Sequence, residues 1–186
     1  MAGNLFVLSG PSGVGKGTVL NRLLKESLNI KCSISYTTRK PRYGEVEGED
    51  YYFVDKDKFL EMRDNDEFVE WAQVHNNYYG TPRKQIKEAL NRNENLILEI
   101  DIQGAKQIKK QFCDAIMIFL VPPSFKELKK RLEKRGSEDN KSKNIRLSNA
   151  KDELNCCMDY DYKVVNDRLA ETVSEVKKII IKEISK

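Results

Sequence analysis

Gly10-Pro11-Ser12-Gly13-Val14-Gly15-Lys16-Gly17-Thr18 is the stretch on which the fold of this chain turns. Its spacing is G-x-x-x-x-G-K, and its flanks match what such a loop needs. Before it, Asn4-Leu5-Phe6-Val7-Leu8-Ser9 is a short apolar run that reads as a buried parallel strand. After it, Val19, Leu20, Leu23, Leu24 and Leu28 recur at helical spacing and predict a helix from Lys16 to Leu28. Strand, glycine loop and helix in that order form a phosphate cradle. Glycines let several N–H groups converge on phosphate oxygens, the helix N-terminus adds partial positive charge, and Lys16 adds a full one. Gly10, Pro11, Ser12, Gly13, Val14, Gly15, Lys16, Gly17 and Thr18 are therefore the expected nucleoside-triphosphate contacts. One departure stands out: Gly17 occupies the position where the strict motif has Ser or Thr. The hydroxyl expected to touch a Mg²⁺ ion carried with the triphosphate is then Thr18, one residue later, unless a water takes that place.

Working outward, Ile30, Cys32 and Ile34 alternate with polar residues and predict a second strand. From Tyr36 to about Asn93 the composition shifts to Arg, Tyr, Gly and Glu, with short apolar pieces at Tyr51–Val54 and Phe68–Trp71. We expect a small, partly β insertion there, with helices near Asp57–Arg63 and Pro82–Asn91, Pro82 suiting the first helical turn. Asn95–Asp101 and Ile116–Val121 read as buried strands, the second stopped by Pro122-Pro123. Ser124 followed by Glu127 is a capping box that opens a helix running to Arg135 and ending at Gly136. A charged segment, Ser137–Lys143, follows, then a helix around Asn144–Cys157, a strand Tyr162–Val165 and an amphipathic helix Leu169–Ile184. Strands alternating with helices imply an α/β sandwich on a five-stranded, mainly parallel sheet, with a small mixed α/β insertion and a lid. The expected division is one domain, 1–186, with core 1–35 and 95–186, insertion 36–94 and lid 136–150.

Composition narrows the classes. A chain of 186 residues with net charge +4 can bury its own core and carries no concentrated basic stripe, so nucleic acid is not an expected partner. No apolar run approaches the roughly 20 residues of a membrane helix, and Met1–Asn4 has no leader character, so a cytoplasmic protein without a membrane partner is expected. The four cysteines, Cys32, Cys113, Cys156 and Cys157, form no CxxC pair and read as reduced thiols. His75 and Trp71, single representatives of their types, receive no catalytic role. Subunit state, monomer or small homo-oligomer, is open.

Ser35-Tyr36-Thr37-Thr38-Arg39-Lys40-Pro41-Arg42-Tyr43-Gly44-Glu45 places two arginines three apart, with Pro41 stiffening the chain between them. Guanidinium forks suit a second phosphate, because each donates two parallel charge-assisted hydrogen bonds.

This segment, together with the glycine loop, Asp50-Tyr51-Tyr52-Phe53, Glu67-Phe68-Val69-Glu70-Trp71-Ala72, Tyr78-Tyr79-Gly80-Thr81, Asp101-Ile102-Gln103-Gly104 and the region after Pro122-Pro123-Ser124, resembles guanylate kinase along essentially the whole chain. The resemblance implies transfer of the γ-phosphoryl group of ATP, with Mg²⁺, to GMP. It implies that Ser35, Arg39, Arg42, Tyr51 and Tyr79 hold the GMP phosphate. It further implies that Glu70 and Thr81 read the guanine with help from Asp101. The chemistry agrees: guanine offers N1–H and N2–H₂ donors on one edge, and a carboxylate is an acceptor only. Facing adenine, a buried Glu70 would be left unpaired, at a cost of about 1–3 kcal/mol. The resemblance also marks Arg131, Arg135 and Arg146 as phosphate contacts beside Lys16, Arg39 and Arg42, and it suggests Asn166 and Asp167 for the adenine of ATP. Asp101 has a second reading as an acid that orients the metal, and Glu99 competes for that task. The Gly-Lys-Gly-Thr ending of the loop is shared with adenylate kinases and does not name the acceptor. Scaffold modules similar to guanylate kinase bind phosphopeptides in the GMP site, but usually without a working glycine loop.

Overall fold

The computed structural model describes residues 3–26, 28–74, 76–134 and 160–186. By contact the chain divides into two compact units: Met1–Leu5, Asn29–Leu98 and Gln103–Ala115 form the first, and Phe6–Leu28, Glu99–Ile102 and Ile116–Lys186 the second.

The second unit carries the predicted opening. β1 (Leu5–Ser9) is buried at every position, as a parallel strand covered on both faces must be. α1 (Lys16–Leu23) follows the loop and buries Val19, Leu20 and Leu23. β8 (Ile116–Val121) runs parallel to β1, pairing Phe6 with Ile116 through Ser9 with Phe119, and β9 (Tyr162–Val165) runs parallel to β8. α5 (Phe125–Lys134) starts at Ser124, whose Oγ accepts from the Glu127 N–H at 3.1 Å, so the capping residue is the one expected. α6 (Leu169–Ile184) packs on α1, and Lys177 Nζ reaches Glu26 at 2.9 Å across that seam. The residues read as the lid, as the end of the helix at Arg135 and as the helix Asn144–Cys157 lie outside the described residues.

The first unit holds β2 (Lys31–Cys32), which pairs parallel with β7 (Leu96–Glu99), and a four-stranded sheet. That sheet is mixed and runs in the order β4 (Tyr52–Phe53), β3 (Tyr36–Thr37), β6 (Asn77–Pro82), β5 (Phe68–Val74). β3 is parallel to β4 and antiparallel to β6, and β5 is antiparallel to β6. α2 (Lys56–Asp64), capped by the Asp55 side chain, and α3 (Arg83–Asn91) lie against β5. Phe59, Met62 and Phe68 form the unit's own small core, closed by Tyr36, Val54 and Tyr78. α4 (Ile102–Gln111) follows β7. The five-stranded sheet has the order β2-β7-β1-β8-β9, and every registered pair in it is parallel, as expected for the fold class.

Three expectations need correction. The first helix stops at Leu23, not Leu28: Lys25 and Glu26 turn back onto Arg22 and Leu23 with i→i−3 hydrogen bonds, and Leu24 is 39% exposed. The strand read through Ile34 is two residues long, because the Ile34 N–H and C=O are taken by the side-chain amide of Gln85, at 2.9 and 3.3 Å. Pro82 ends β6 and caps α3 rather than opening it. β6 and α4 were not foreseen at all.

Candidate active site

In the second unit the loop Gly10–Thr18 bends through three positive backbone angles, φ +151° at Gly10, +84° at Gly13 and +101° at Gly15. All three positions also lack room: a Cβ on Gly10 would lie 2.5 Å from the Leu120 carbonyl oxygen, one on Gly13 2.7 Å from Leu132 Cδ2, and one on Gly15 2.7 Å from Asn166 Nδ2. Lys16 folds over the loop and donates to the Gly10 carbonyl at 2.7 Å.

Gly17 has a different explanation. A Cβ there would sit 3.3 Å from Glu99 Oε2, so the missing side chain leaves space that the Glu99 carboxylate occupies. This places an acid beside the first turn of α1, next to Thr18, whose side chain is exposed.

The loop is held from behind. Asn166 is 5% exposed; its Nδ2 donates to Val14 O at 2.7 Å, and its Oδ1 accepts from Thr172 Oγ at 3.1 Å. Val14 O can only accept, so the amide can face only one way. Arg131 Nη1 donates to Asn166 O at 2.9 Å and to Val14 O at 3.4 Å. Gly13, Gly15, Thr18, Arg131, Asn166, Asp167 and Leu169 line a cleft of about 300 Å³, at the small end of the range for ligand pockets. The Asn166 side chain is committed to the loop, while Asp167 is exposed at the rim.

In the first unit a second cluster gathers on the mixed sheet. The Arg39 guanidinium forms a two-pronged pair with Glu45, Nη1 to Oε2 and Nη2 to Oε1, both at 2.9 Å. It lies 5.4 Å from the Tyr51 ring centre and 5.8 Å from that of Phe53, within cation–π range. Tyr79 meets Tyr51 edge-on at 6.1 Å. Burial pulls the Arg39 pKa down, but hydrogen bonding to Glu45 and the neighbouring Tyr79 more than reverse this, and it stands raised. Burial likewise pushes the Glu45 carboxyl up, but the Arg39 guanidinium and the Arg42 N–H, which donates at 2.7 Å, hold it below its ordinary value. The Arg42 side chain itself is exposed.

Tyr79 and Thr81 are two apart on β6 and so share a face. Thr81, fully buried, donates to Glu70 Oε1 at 2.5 Å; Glu70 is 4% exposed; Ser35 Oγ lies 3.4 Å from Thr81 Oγ. A carboxylate this deeply buried needs partners, and the inward aim of Glu70 is unusual for its strand. The β5–β6 ladder pairs Phe68 with Pro82 and Glu70 with Thr81, and skips Val69. That bulge is why Phe68, Val69 and Glu70 are all buried in succession.

The family model described as Guanylate kinase matches residues 2–183. The chain belongs to the guanylate kinase family. It is 47% identical over 184 residues to a guanylate kinase of Clostridioides difficile, covering 99% of this chain and 90% of that one. It is 46% identical over 175 residues to one from Prochlorococcus marinus, covering 94% of each. A crystal structure of guanylate kinase from Anaplasma phagocytophilum superposes with a TM-score of 0.83 at 39% identity, over 98% of this chain and 86% of that chain. A gluconokinase from Sinorhizobium meliloti, 15% identical with a TM-score of 0.50, shares the fold alone.

With the guanylate kinase family as frame, the sequence-predicted residues fall into two sets. The structure gathers Ser35, Glu70 and Thr81 by direct approach, and Arg39, Tyr51 and Tyr79 around one guanidinium, all in the first unit. Asp101, half-buried ahead of α4, belongs with Glu99 to the second unit, as do the loop, Arg131, Asn166 and Asp167. Arg135 and Arg146 lie outside the described residues. Sequence reasoning named Glu45 only as part of a motif. Its position six residues after Arg39 and three after Arg42 was the available signal that it organises both. Nothing in the sequence pointed to Asn166 as a brace for the loop.

Proposed function

We propose that this guanylate kinase family member transfers the γ-phosphoryl group of ATP to GMP, giving ADP and GDP and recycling guanine nucleotides, and that it accepts dGMP as well. One observation beyond family membership carries the acceptor assignment. Glu70 is a buried carboxylate with Thr81 on one oxygen, on the sheet that also carries the Arg39 pocket. Such a group suits the two N–H donors on the guanine edge and repels the acceptor of adenine.

The triphosphate binds over the loop Gly10–Thr18, with Lys16 exchanging the Gly10 carbonyl for phosphate oxygens. Arg131, the buried Asn166 and the rim residue Asp167 complete the cleft, and Asp167, beside Asn166, meets the adenine. Arg39 and Arg42 take the GMP phosphate, with Ser35, Tyr51 and Tyr79 supplying hydroxyls. Arg39 is already forked by Glu45 and needs little reordering to meet a phosphate. Asp101 helps to read the guanine, and Arg135 and Arg146 contact the phosphates. The GMP phosphate oxygen is anionic, so no residue is needed as a general base; positioning and charge neutralisation do the catalysis. The subdomain 36–94 and the lid 136–150 exclude water when both substrates are bound.

The donor set fits Mg²⁺. The Thr18 hydroxyl and the Glu99 carboxylate are hard oxygen groups beside the loop. Such an ion would be held mostly by phosphates and water. Thr18 would contact it, with Glu99 orienting its waters, and it would neutralise charge on the β- and γ-phosphates.

No helix among the described residues is long and apolar enough to cross a membrane. We place the protein in the cytoplasm, as a monomer or small homo-oligomer with no nucleic-acid partner. ADP production from Mg·ATP, offered GMP, dGMP, AMP, CMP and UMP in parallel, tests the assignment. Turnover with GMP and dGMP alone supports it; turnover with AMP or a pyrimidine nucleotide overturns Glu70 as the base reader.

A further inference from the structure

Glu70 sits on β5, the edge strand of the four-stranded sheet. An edge strand has one row of backbone groups without a neighbouring strand, and a bulge frees more of them. Here the freed groups around Glu70 are each met by a side chain. Arg83 Nη2 donates to Phe68 O at 2.8 Å, and Gln111 Nε2 donates to Val69 O, the carbonyl of the skipped residue, at 2.6 Å. Gln107 takes both groups of Trp71, donating from Nε2 to its carbonyl at 2.7 Å and accepting its N–H on Oε1 at 3.3 Å. Arg83 Nη1 adds a bond to Gln111 Oε1 at 3.3 Å. Gln107 and Gln111 are one turn apart on α4 and face the same way. A side-chain amide carries the same donor and acceptor as a peptide group, so this helix face acts as a substitute strand on the residues either side of Glu70.

We infer that Gln107 and Gln111 are positioning residues for guanine recognition: they fix the backbone at residues 69 and 71, and so the aim of the Glu70 carboxylate between them. The inference rests on Glu70 reading the guanine edge, as proposed above. It makes the bulge functional: strict alternation would put Glu70 on the same face as Phe68, and the bulge moves it to the face of Tyr79 and Thr81, where the amides of α4 help to hold it.

The test compares kcat/KM for GMP and for IMP, which lacks the 2-amino donor, in the full chain carrying Gln107→Ala, Gln111→Ala, both, Gln111→Glu or Glu70→Ala. Each single Gln→Ala change is expected to lower the GMP-to-IMP preference by about three- to tenfold with KM for ATP unchanged, as one hydrogen bond's loss implies. Gln111→Glu keeps the length and the acceptor for Arg83 but removes the donor to Val69 O, and is expected to lose the preference as Gln111→Ala does. A purely structural role would lower both rates together, with a lower melting temperature and an unchanged preference; that result, in the singles or the double, overturns the inference. If Glu70→Ala collapses the preference while the glutamine variants leave it intact, the clamp is wrong and the base reader stands. If Glu70→Ala leaves the preference intact, the reading beneath the inference falls.

Discussion

On the function proposed above, the glycine loop of the second unit and the arginine pocket of the first both hold phosphate, by opposite means. The loop works with backbone. Its positive φ angles at Gly10, Gly13 and Gly15 and its close approaches to Leu120 and Asn166 leave no room for side chains, and the single formal charge it contributes is Lys16. The pocket works with side chains: a guanidinium forked by Glu45, roofed by Tyr51 and Phe53, beside the buried Thr81–Glu70 pair. A backbone cradle recognises phosphate in any nucleotide. A side-chain pocket can also recognise a base, at the expense of needing every polar group held in place by another.

The comparison gives a ranking of effects. The largest is expected at Lys16→Ala, which removes the loop's only full charge. kcat should fall by about a hundred- to a thousandfold, with GMP binding measured by calorimetry unchanged. Next, Gly10→Ala forces a Cβ to within 2.5 Å of the Leu120 carbonyl at φ +151°. KM for ATP should rise about tenfold or more, and KM for GMP should not follow. Arg39→Lys keeps the charge and loses the fork with Glu45. KM for GMP should rise about tenfold, and an equal rise in KM for ATP would erase the distinction between the two regions. The smallest effect belongs to Glu45→Gln, expected to destabilise the protein by about 1 kcal/mol at neutral pH. The Glu45 pKa is lowered on folding, so its stabilisation is present above its ordinary value of 4.5 and disappears as the pH falls through the lower folded value. Chemical denaturation from neutral to acid pH should therefore show the wild-type and Glu45→Gln stabilities converging as the pH falls below 4.5.

The same contrast explains what could be read from the sequence. β1, the loop, α5 with its Ser124 cap, β8, β9 and α6 follow from local signals: apolar runs, glycine spacing, a capping box, helical periodicity. β6 could not be read in this way. Asn77-Tyr-Tyr-Gly-Thr-Pro has no apolar alternation, and its strand exists because β3 and β5 pair with it from both sides. α4 was hidden because its buried positions, Ile102, Ala105 and Ile108, are few and interrupted by Gly104. Among site residues, Arg39 was named from its spacing to Arg42, and Glu70 and Tyr79 through resemblance. What holds them, namely Glu45, the bulge at Val69 and the amides of α4, depends on which strand and helix lie alongside, and local sequence does not encode that.

The most direct test of the account is calorimetric binding of a non-hydrolysable Mg·ATP analogue and of GMP, each alone, to wild type, Lys16→Ala and Glu70→Ala. The account predicts a crossed pattern. Lys16→Ala loses the ATP analogue and keeps GMP, and Glu70→Ala loses GMP and keeps the ATP analogue. Equal weakening of both ligands in either variant would contradict the division of labour between a backbone cradle for the donor and a side-chain pocket for the acceptor.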